Sequence, residues 1–324
     1  MVRFIILFLL IVCVSCKKDT FKNTELSGAV FGTSYSIIYD SKINYQAQID
    51  SLFYVLNKSM STYQVNSDIS KLNRNESDIV DLHFITVFKA SKNIYKNTNE
   101  AFDPTIGAVV NAWDFGPEGR IVNLDSLQIE NLMTSVGLNK VSIVNRRVNK
   151  PKSTFLDFNA IAKGYGVDVV GRYLESQNIK NYLINIGGEI RARGENMSSK
   201  KLWKVGVEDP NFDGSQSINK IVFLKNESMA TSGTYRKFKV DENGNRYAHI
   251  IDTKSGYPSK TNLLSISVIA DNCMIADAYA TAFKAMGIDK IKAFLKAHPE
   301  LKVFLIFEND NKELDSLALN GFAE

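Results

Sequence analysis

The chain has 324 residues, a formal net charge of +4 at pH 7 and 44% hydrophobic residues. Its lysines are scattered along the sequence, so it lacks the basic stripe by which a nucleic-acid-binding protein is identified. After an N-terminal leader about 300 residues remain, enough to bury one large core or two moderate ones.

The N-terminal leader predicts export and attachment to a membrane. Arg3 precedes a short apolar stretch at positions 4–14, and Ser15 and Cys16 follow it. A bilayer-spanning helix needs about 20 apolar residues, so this stretch is too short to cross comfortably. The pattern resembles a bacterial lipoprotein signal, in which Cys16 becomes the lipid-bearing N-terminus. An ordinary cleaved signal or a single membrane anchor are the alternatives, and both would also export the domain.

The remainder is predicted to fold as one domain without disulfides. Loss of the signal and lipidation of Cys16 would leave Cys273 as the one free thiol, so the domain must depend on its core. No Pro/Gly/Ser-rich linker follows Glu25. We expect a signal peptide at 1–15, a lipid-anchored polar tether at 16–26 and one domain at 27–324. The protein would then lie in the bacterial cell envelope, facing the periplasm or the exterior.

Helical and strand patterns are mixed along this domain, with no internal repeat. Apolar spacing predicts helices at 46–60, 81–95, 160–173, 274–286 and 289–297. Strands are predicted at 141–144, 154–158, 182–186, 203–207, 218–224, 238–240, 246–251, 263–270 and 301–307. Asn243-Gly244 indicates a hairpin between two of them. We therefore expect an α+β fold, a single domain with mixed, largely antiparallel sheets flanked by helices.

Near the C-terminus, the predicted helix 274–286 carries a candidate cation site. Asp277 and Thr281 are four residues apart and share one helix face, and we expect Asp277 to be a helix-surface carboxylate outside the core. A carboxylate and a hydroxyl in this arrangement offer two oxygen ligands, and Mg²⁺ needs few protein ligands when it also binds water and phosphate. The alternative is that Asp277 caps the helix and Thr281 packs.

A second candidate site lies at the start of the predicted helix 160–173. Asp157 ends the preceding predicted strand, and the turn between them presents backbone groups at a helix N-terminus, where anions bind. Lys163 lies in the first turn, placed to reach a phosphate or a nearby carboxylate. Gly164 and Gly166 are costly in a helix unless something approaches the backbone closely. A surface lysine and a tolerated glycine pair are the alternative.

Two further segments combine glycine with polar residues. Gly187-Gly188 follows a predicted strand, but the full dinucleotide-binding glycine pattern is missing and no helix follows, so a Rossmann fold is rejected. The pair indicates either a tight turn between strands or a close approach of backbone to a ligand. His249 adjoins a polar, glycine-containing loop, whereas His83 and His298 occupy positions typical of structural histidines.

Together, nine segments resemble the FAD:protein FMN transferase family (the ApbE-type flavin transferases). They occur in order over nearly the whole chain after the leader. The segments are VFGTSYSI, MSTYQVNSDISKLN, AFDPTIGAVVNAWDFG, LDFNAIAKGYGVD, INIGGEI, WKVGVEDP, ATSGTYR, HIIDTKSGYP and DAYATA.

The resemblance implies an exported, Mg²⁺-dependent transferase. It would cleave the pyrophosphate of FAD, transfer FMN to a threonine or serine hydroxyl of an acceptor protein and release AMP. Acceptors of this family are typically flavin subunits of membrane redox complexes. By motif, the cation would be held by Asp277, Thr281 and the backbone carbonyl of Ala160. FAD would contact Phe31, Tyr63, Ala101, Phe102, Asp103, Asp157, Lys163, His249 and Ile250.

The sequence departs from the family pattern at two positions. Phe31 stands where methionine is frequent, which changes the packing surface offered to a ring of FAD. Ala280 stands where some members carry a second aspartate, so the cation would depend more on water and phosphate.

His249 is the candidate catalytic residue, either as the base for the acceptor hydroxyl or as a phosphate ligand. Two other functions use the same segments: a periplasmic FAD pyrophosphatase giving FMN and AMP, and a flavin-binding lipoprotein without turnover. The Asp277/Thr281 pair disfavours the second, since binding alone would not need a metal.

Overall fold

An antiparallel sheet forms the centre of the protein. The computed structural model describes residues 23–118, 121–211, 213–233, 238–240 and 246–322. Alternating burial along many segments, as in Tyr182–Ile186, is the period-two pattern expected of a strand. The strands are β1 Thr24–Val30, β2 Thr33–Tyr39, β3 Ser142–Val144, β4 Arg147–Asn149, β5 Tyr182–Ile186, β6 Glu189–Arg193, β7 Trp203–Glu208, β8 Ile218–Leu224, β9 Ser228–Gly233, β10 Phe238–Val240, β11 Arg246–Ala248, β12 Leu263–Ala270, β13 Lys302–Glu308 and β14 Leu314–Leu319.

Eight of these strands make one sheet, in the order β1-β2-β5-β6-β9-β12-β13-β14. Every ladder between neighbouring strands of this sheet is antiparallel. The pairs β3–β4, β7–β8 and β10–β11 form separate two-stranded ladders. The predicted α+β class with largely antiparallel sheets is confirmed.

Helices lie between the strands and cover one face of the sheet. They are α1 Gln46–Met60, α2 Asp68–Asn73, α3 Leu82–Asn97, α4 Gly107–Ala112, α5 Ser126–Met133, α6 Ala162–Ser176, α7 Cys273–Met286 and α8 Ile288–Leu295, with a 3-10 turn at Leu138–Lys140. The five predicted helices are all present, with ends that differ by at most three residues. Among the described residues, no helix has both the length and the apolar character that a membrane crossing requires.

Both faces of the sheet are covered, which explains the continuous apolar runs of its inner strands. In β13, Val303 and Leu305 belong to the core shared with α7, whereas Phe304 and Ile306 belong to the core beneath β7–β8. Trp203 of β7 is 2% exposed in this second core. The sheet therefore separates a large helical layer from a smaller ribbon layer.

The predicted strand at 154–158 is wrong. Only Phe155 bridges, in a single contact with Ile106. The side chain of Asn73 bonds both the N–H and the C=O of Leu156, and Asp157 N donates to Pro104 O at 2.8 Å. These contacts satisfy the backbone groups that a strand partner would otherwise bond.

The predicted strand at 141–144 is present as β3, and it pairs with β4 through a turn at Asn145 and Arg146, which both have positive φ. The predicted hairpin between 238–240 and 246–251 is confirmed as the pair β10–β11, although β11 ends at Ala248. Its turn at Asn243-Gly244 lies outside the described residues.

Strands β1 and β2 were not predicted. Leu26 and Val30 lie on one face of β1 and, with Tyr35, Ile37 and Tyr39 of β2, form part of a core against α1. Strand β1 includes residues 24–26, so the last three residues of the predicted 16–26 tether belong to the central sheet. The predicted signal peptide, Cys16 and the rest of that tether up to residue 22 lie outside the described residues.

Candidate functional site

One cavity of about 960 Å³ opens where the helical layer meets the ends of the central strands. The β1–β2 turn, the β5–β6 turn, β9 and α7 contribute to its wall, together with the loops before α4, before α6 and after β11. All twelve residues assigned to FAD or the cation from the sequence line this cavity: Phe31, Tyr63, Ala101, Phe102, Asp103, Asp157, Ala160, Lys163, His249, Ile250, Asp277 and Thr281. The structure thus gathers the predicted set in one place, and the role of each residue stays a prediction.

Asp277 lies on the inner face of α7 and is 4% exposed. The expectation that it is a helix-surface carboxylate is therefore wrong. Its Oδ2 accepts a hydrogen bond from Gly164 N at 2.9 Å. It does not cap α7 either, because the N-cap is Asn272, whose side chain accepts from Ile275 N.

Two glycines in α6 allow this close packing. A Cβ on Gly164 would lie 2.3 Å from the carbonyl oxygen of Cys273, so no other residue lets α6 approach α7 this closely. A Cβ on Gly166 would lie 2.8 Å from the ring of Phe31. The close approach predicted from these glycines is therefore made by protein groups, α7 in one case and Phe31 in the other.

Thr281 lies one turn after Asp277 on α7. Its Oγ1 is 3.2 Å from Ser232 Oγ at the end of β9. Ala160 precedes α6, which begins two residues later than predicted. Within the described residues, no group of three His, Cys, Asp or Glu side chains is placed to bind a metal ion. The sparse oxygen donors that line this part of the cavity suit a hard cation that retains water and uses phosphate oxygens.

Lys163 lies in the first turn of α6, as predicted, and its ammonium pairs with Glu189 at 2.8 Å. Glu189 begins β6, and its side chain is 3% exposed. Sequence reasoning missed it as a functional candidate, although it directly follows the Gly187-Gly188 pair. That pair forms the predicted tight turn between β5 and β6, and it also lines the cavity.

The pKa values of three neighbouring groups, Glu189, Asp277 and Lys163, depend on burial and on one another. Burial raises the pKa of Glu189 to about 7, and the nearby Lys163 only partly offsets this. Burial also raises the pKa of Asp277. Burial alone would lower the pKa of Lys163, but the attraction of Glu189 and Asp277 outweighs it, so that pKa is raised. Two buried carboxylates beside one ammonium give this end of the cavity a preference for a further positive charge.

Asp103 and Asp157 fix the loops in which they lie. Both carboxylate oxygens of the buried Asp103 accept hydrogen bonds, from Thr105 N and Oγ1 at 2.8 and 2.6 Å and from Leu138 N at 3.2 Å. Asp157 accepts from Asn159 N at 2.7 Å and from its Nδ2 at 3.1 Å. Asp157 therefore shapes the cavity wall through its own loop, and Asp103 also ties its loop to the 3-10 turn that begins at Leu138.

Aromatic side chains form the more open part of the cavity. Phe31 sits in the β1–β2 turn with φ 51°, and its ring packs edge-on against Phe53 at 5.5 Å. Tyr63 is 59% exposed at the rim. Large partly exposed rings at a cavity mouth suit the planar ring systems of a nucleotide.

His249 follows β11 directly and is half-buried. Its ring centroid lies 6.2 Å from that of Phe115, at an interplanar angle of 62°. The next loop is fixed by the carboxylate of Asp252, which accepts from Lys254 N and Ser255 N at 3.0 and 2.8 Å. The imidazole itself lies at the cavity wall.

The other two histidines have structural surroundings, as predicted. His83 Nδ1 lies 3.0 Å from the hydroxyl of Tyr165. His298 stacks on Phe294 with 4.1 Å between ring centroids.

The fold and the cavity define an α+β protein built around one nucleotide-sized site with acidic, basic and aromatic sectors. The ApbE family model matches residues 31–305, and the chain belongs to the ApbE family. The chain is 36% identical over 317 residues to the FAD:protein FMN transferase of Haemophilus influenzae, covering 92% of this chain and 90% of that protein. It is 35% identical over 328 residues to the protein of the same name from Vibrio cholerae, covering 97% and 96%.

The structure agrees with that relationship. The flavin transferase ApbE from Vibrio cholerae superimposes with a TM-score of 0.82 at 33% identity, covering 92% of this chain and 97% of that one. Since both the sequence and the fold match over almost the full length, the family resemblance inferred from the nine segments is confirmed.

Proposed function

We propose that this protein transfers FMN from FAD to a threonine or serine hydroxyl of an acceptor protein and releases AMP, with Mg²⁺ bound in the cavity. The observation that carries the proposal is the convergence of the predicted FAD and cation residues on a single cavity of about 960 Å³. The relatives named FAD:protein FMN transferase support the same activity.

The residues of α7 and of the loop before α6 would hold the cation. Asp277, Thr281 and Ala160 all line the cavity, and the carboxylate, the hydroxyl and the backbone carbonyl assigned to the cation are all oxygen ligands. A bound Mg²⁺ would supply positive charge at the pyrophosphate, which favours the departure of AMP. Lys163, which also lines the cavity, would supply a positive charge suited to a phosphate oxygen.

His249 is our candidate for the base that takes the proton of the acceptor hydroxyl. The acceptor hydroxyl must lose its proton during attack, and a positioned base within hydrogen-bond reach contributes typically about 10²- to 10⁴-fold. His249 lies on the cavity wall beside a loop in which Asp252 accepts two backbone hydrogen bonds, and this position fits the task. The sequence also leaves open that His249 binds a phosphate from the same position. The kinetics of a His249 variant distinguish this role from that of a base.

The leader sequence supports a proposal for where the reaction takes place. We propose that Cys16 carries a lipid and tethers the domain to a membrane of the cell envelope. The acceptor would then be a flavin subunit of a membrane redox complex, exposed on the same side of that membrane.

The decisive experiment incubates the protein with FAD, Mg²⁺ and candidate flavin subunits. Intact-mass spectrometry then measures a covalent FMN adduct on the acceptor, and chromatography measures AMP. An acceptor with its modified threonine replaced by valine and a reaction containing EDTA are the controls. Free FMN and AMP without adduct would identify a pyrophosphatase instead, and unchanged FAD would identify a flavin-binding protein without turnover.

A further inference from the structure

The turn between β5 and β6 places the buried carboxylate of Glu189 in the cavity. The proposed chemistry does not use this carboxylate. Glu189 follows Gly187 and Gly188, whose φ values are 64° and 107°. Its Oε1 accepts from Lys163 Nζ at 2.8 Å, while its Oε2 is buried without a hydrogen-bond partner. A buried carboxylate with an unbonded oxygen is costly, so its presence in the site calls for a reason.

Lys163 has a choice of two carboxylates. Both Glu189 and Asp277 attract its ammonium, and Asp277 is hydrogen-bonded to the backbone of the very next residue, Gly164. A lysine ammonium is a compact charge on a flexible stem, so it can turn toward either partner. In the structure it is paired with Glu189.

The two pairings have opposite consequences for a divalent cation. An ammonium paired with Asp277 would occupy the ligand oxygens and repel a second positive charge strongly in this poorly solvated site. An ammonium paired with Glu189 leaves Asp277 open and still lines the cavity, where phosphate oxygens of a substrate would lie.

We propose that Glu189 is a positioning residue, which holds the Lys163 ammonium away from Asp277 and thereby keeps that carboxylate available to the divalent cation. The inference rests on the cation of the proposed function. It assigns a role to the GGE segment, which neither the cation set nor the FAD set includes.

The test measures cation binding directly instead of turnover. Mn²⁺ accepts the same oxygen ligands as Mg²⁺ and is visible by electron paramagnetic resonance. Binding is titrated on the full-length protein, with and without FAD, for the wild type, Glu189→Gln, Lys163→Met and the double variant. Thermal melting of each variant reports whether it is folded.

We expect Glu189→Gln to weaken Mn²⁺ binding by about tenfold or more, because the freed ammonium competes for Asp277. Lys163→Met should bind Mn²⁺ at least as tightly as the wild type. In the double variant the competitor is gone, so binding should return to the wild-type value. A double variant as weak as Glu189→Gln would mean that Glu189 ligates the cation itself, and this would overturn the inference.

A matched control is available on α6. Glu175 also makes ion pairs, which are partly exposed, with Arg191 at 3.1 Å and Arg193 at 3.0 Å, but it does not line the cavity. Glu175→Gln should leave Mn²⁺ binding unchanged, and an equal loss there would reduce the Glu189 effect to a general loss of packing and overturn the inference.

The remaining outcomes are also informative. If Glu189→Gln does not fold, the double variant decides, since a neutral pair often replaces a buried ion pair without loss of stability. If the wild type binds Mn²⁺ and Glu189→Gln binds it equally tightly, this inference is overturned but the proposed cation is not. Absence of Mn²⁺ binding by the wild type, with and without FAD, would overturn the proposed cation and this inference with it.

Discussion

Asp277→Asn tests the central carboxylate of the cavity with the least change of shape. The asparagine side chain has the same size, and its oxygen can still accept the hydrogen bond that Gly164 N donates to Oδ2 at 2.9 Å. What disappears is the negative charge. A bound metal supplies several kcal/mol of charge stabilisation in the transition state, so we expect the transfer rate to fall by at least about 10²-fold.

Stability should respond in the opposite way to Asn and to Ala at this position. Burial raises the pKa of Asp277, so the charged form is costly in the folded protein, and the neutral amide should leave the melting temperature unchanged or higher. Asp277→Ala instead leaves the buried Gly164 N–H without an acceptor, at a cost of about 1–3 kcal/mol. In a domain of this size that lowers the melting temperature by roughly 2–4 °C per kcal/mol.

The assay pairs transfer to an acceptor, followed by intact mass, with thermal melting of the same samples in EDTA. Thr281→Val is the matched control on the same helix face. It removes a neutral ligand instead of a charge, so it should raise the Mg²⁺ concentration needed for activity while the rate at saturating Mg²⁺ changes less. Full activity of Asp277→Asn at limiting Mg²⁺ would refute the cation assignment.

Three further predictions concern separate parts of the protein. His249→Ala should lower kcat and kcat/KM together with little change in FAD affinity, since the proton transfer occurs only in the transition state; weaker FAD binding with intact single-turnover transfer would rule out the base. Cys16→Ser should release the protein from the membrane fraction or leave it unprocessed, and a wild-type protein that carries no lipid after detergent extraction would contradict the anchor. Burial raises the pKa of Glu189 from 4.5 to about 7, so between these pH values Glu189 is more protonated in the folded protein than in the unfolded chain. The free energy of unfolding should therefore fall as pH rises from 4.5 to about 7. In EDTA, Glu189→Gln should lose less stability over this pH range than the wild type. An equal loss would refute the raised pKa of Glu189.

The sequence alone determined the family of the protein and much of the set of residues that line the cavity. Motifs such as DAYATA and HIIDTKSGYP carry their residue types at fixed local spacings, and those spacings survive folding because each motif lies within one element or loop. Long periodic segments were also predicted correctly, as for α1 at Gln46–Met60, because apolar residues at helical spacing indicate a helix with one buried face.

Local pattern failed where a side chain from a distant segment replaced a strand partner. Residues 154–158 have a strand-like composition, yet Asn73 bonds the backbone of Leu156 from more than eighty positions away. Nothing within 154–158 encodes that contact, so the error could not be corrected from the segment itself.

The tertiary structure decided which carboxylates are buried and what faces them. Asp277 was expected on a helix surface, but Gly164 lets α6 approach α7 so closely that the carboxylate is enclosed. Glu189 and Lys163 lie 26 positions apart, and only the approach of β6 to α6 makes them an ion pair. Spacing along the chain determines which groups share one element. Burial and charge pairing depend on how separate elements pack, and this is why the electrostatics of the cavity became visible only in the folded protein.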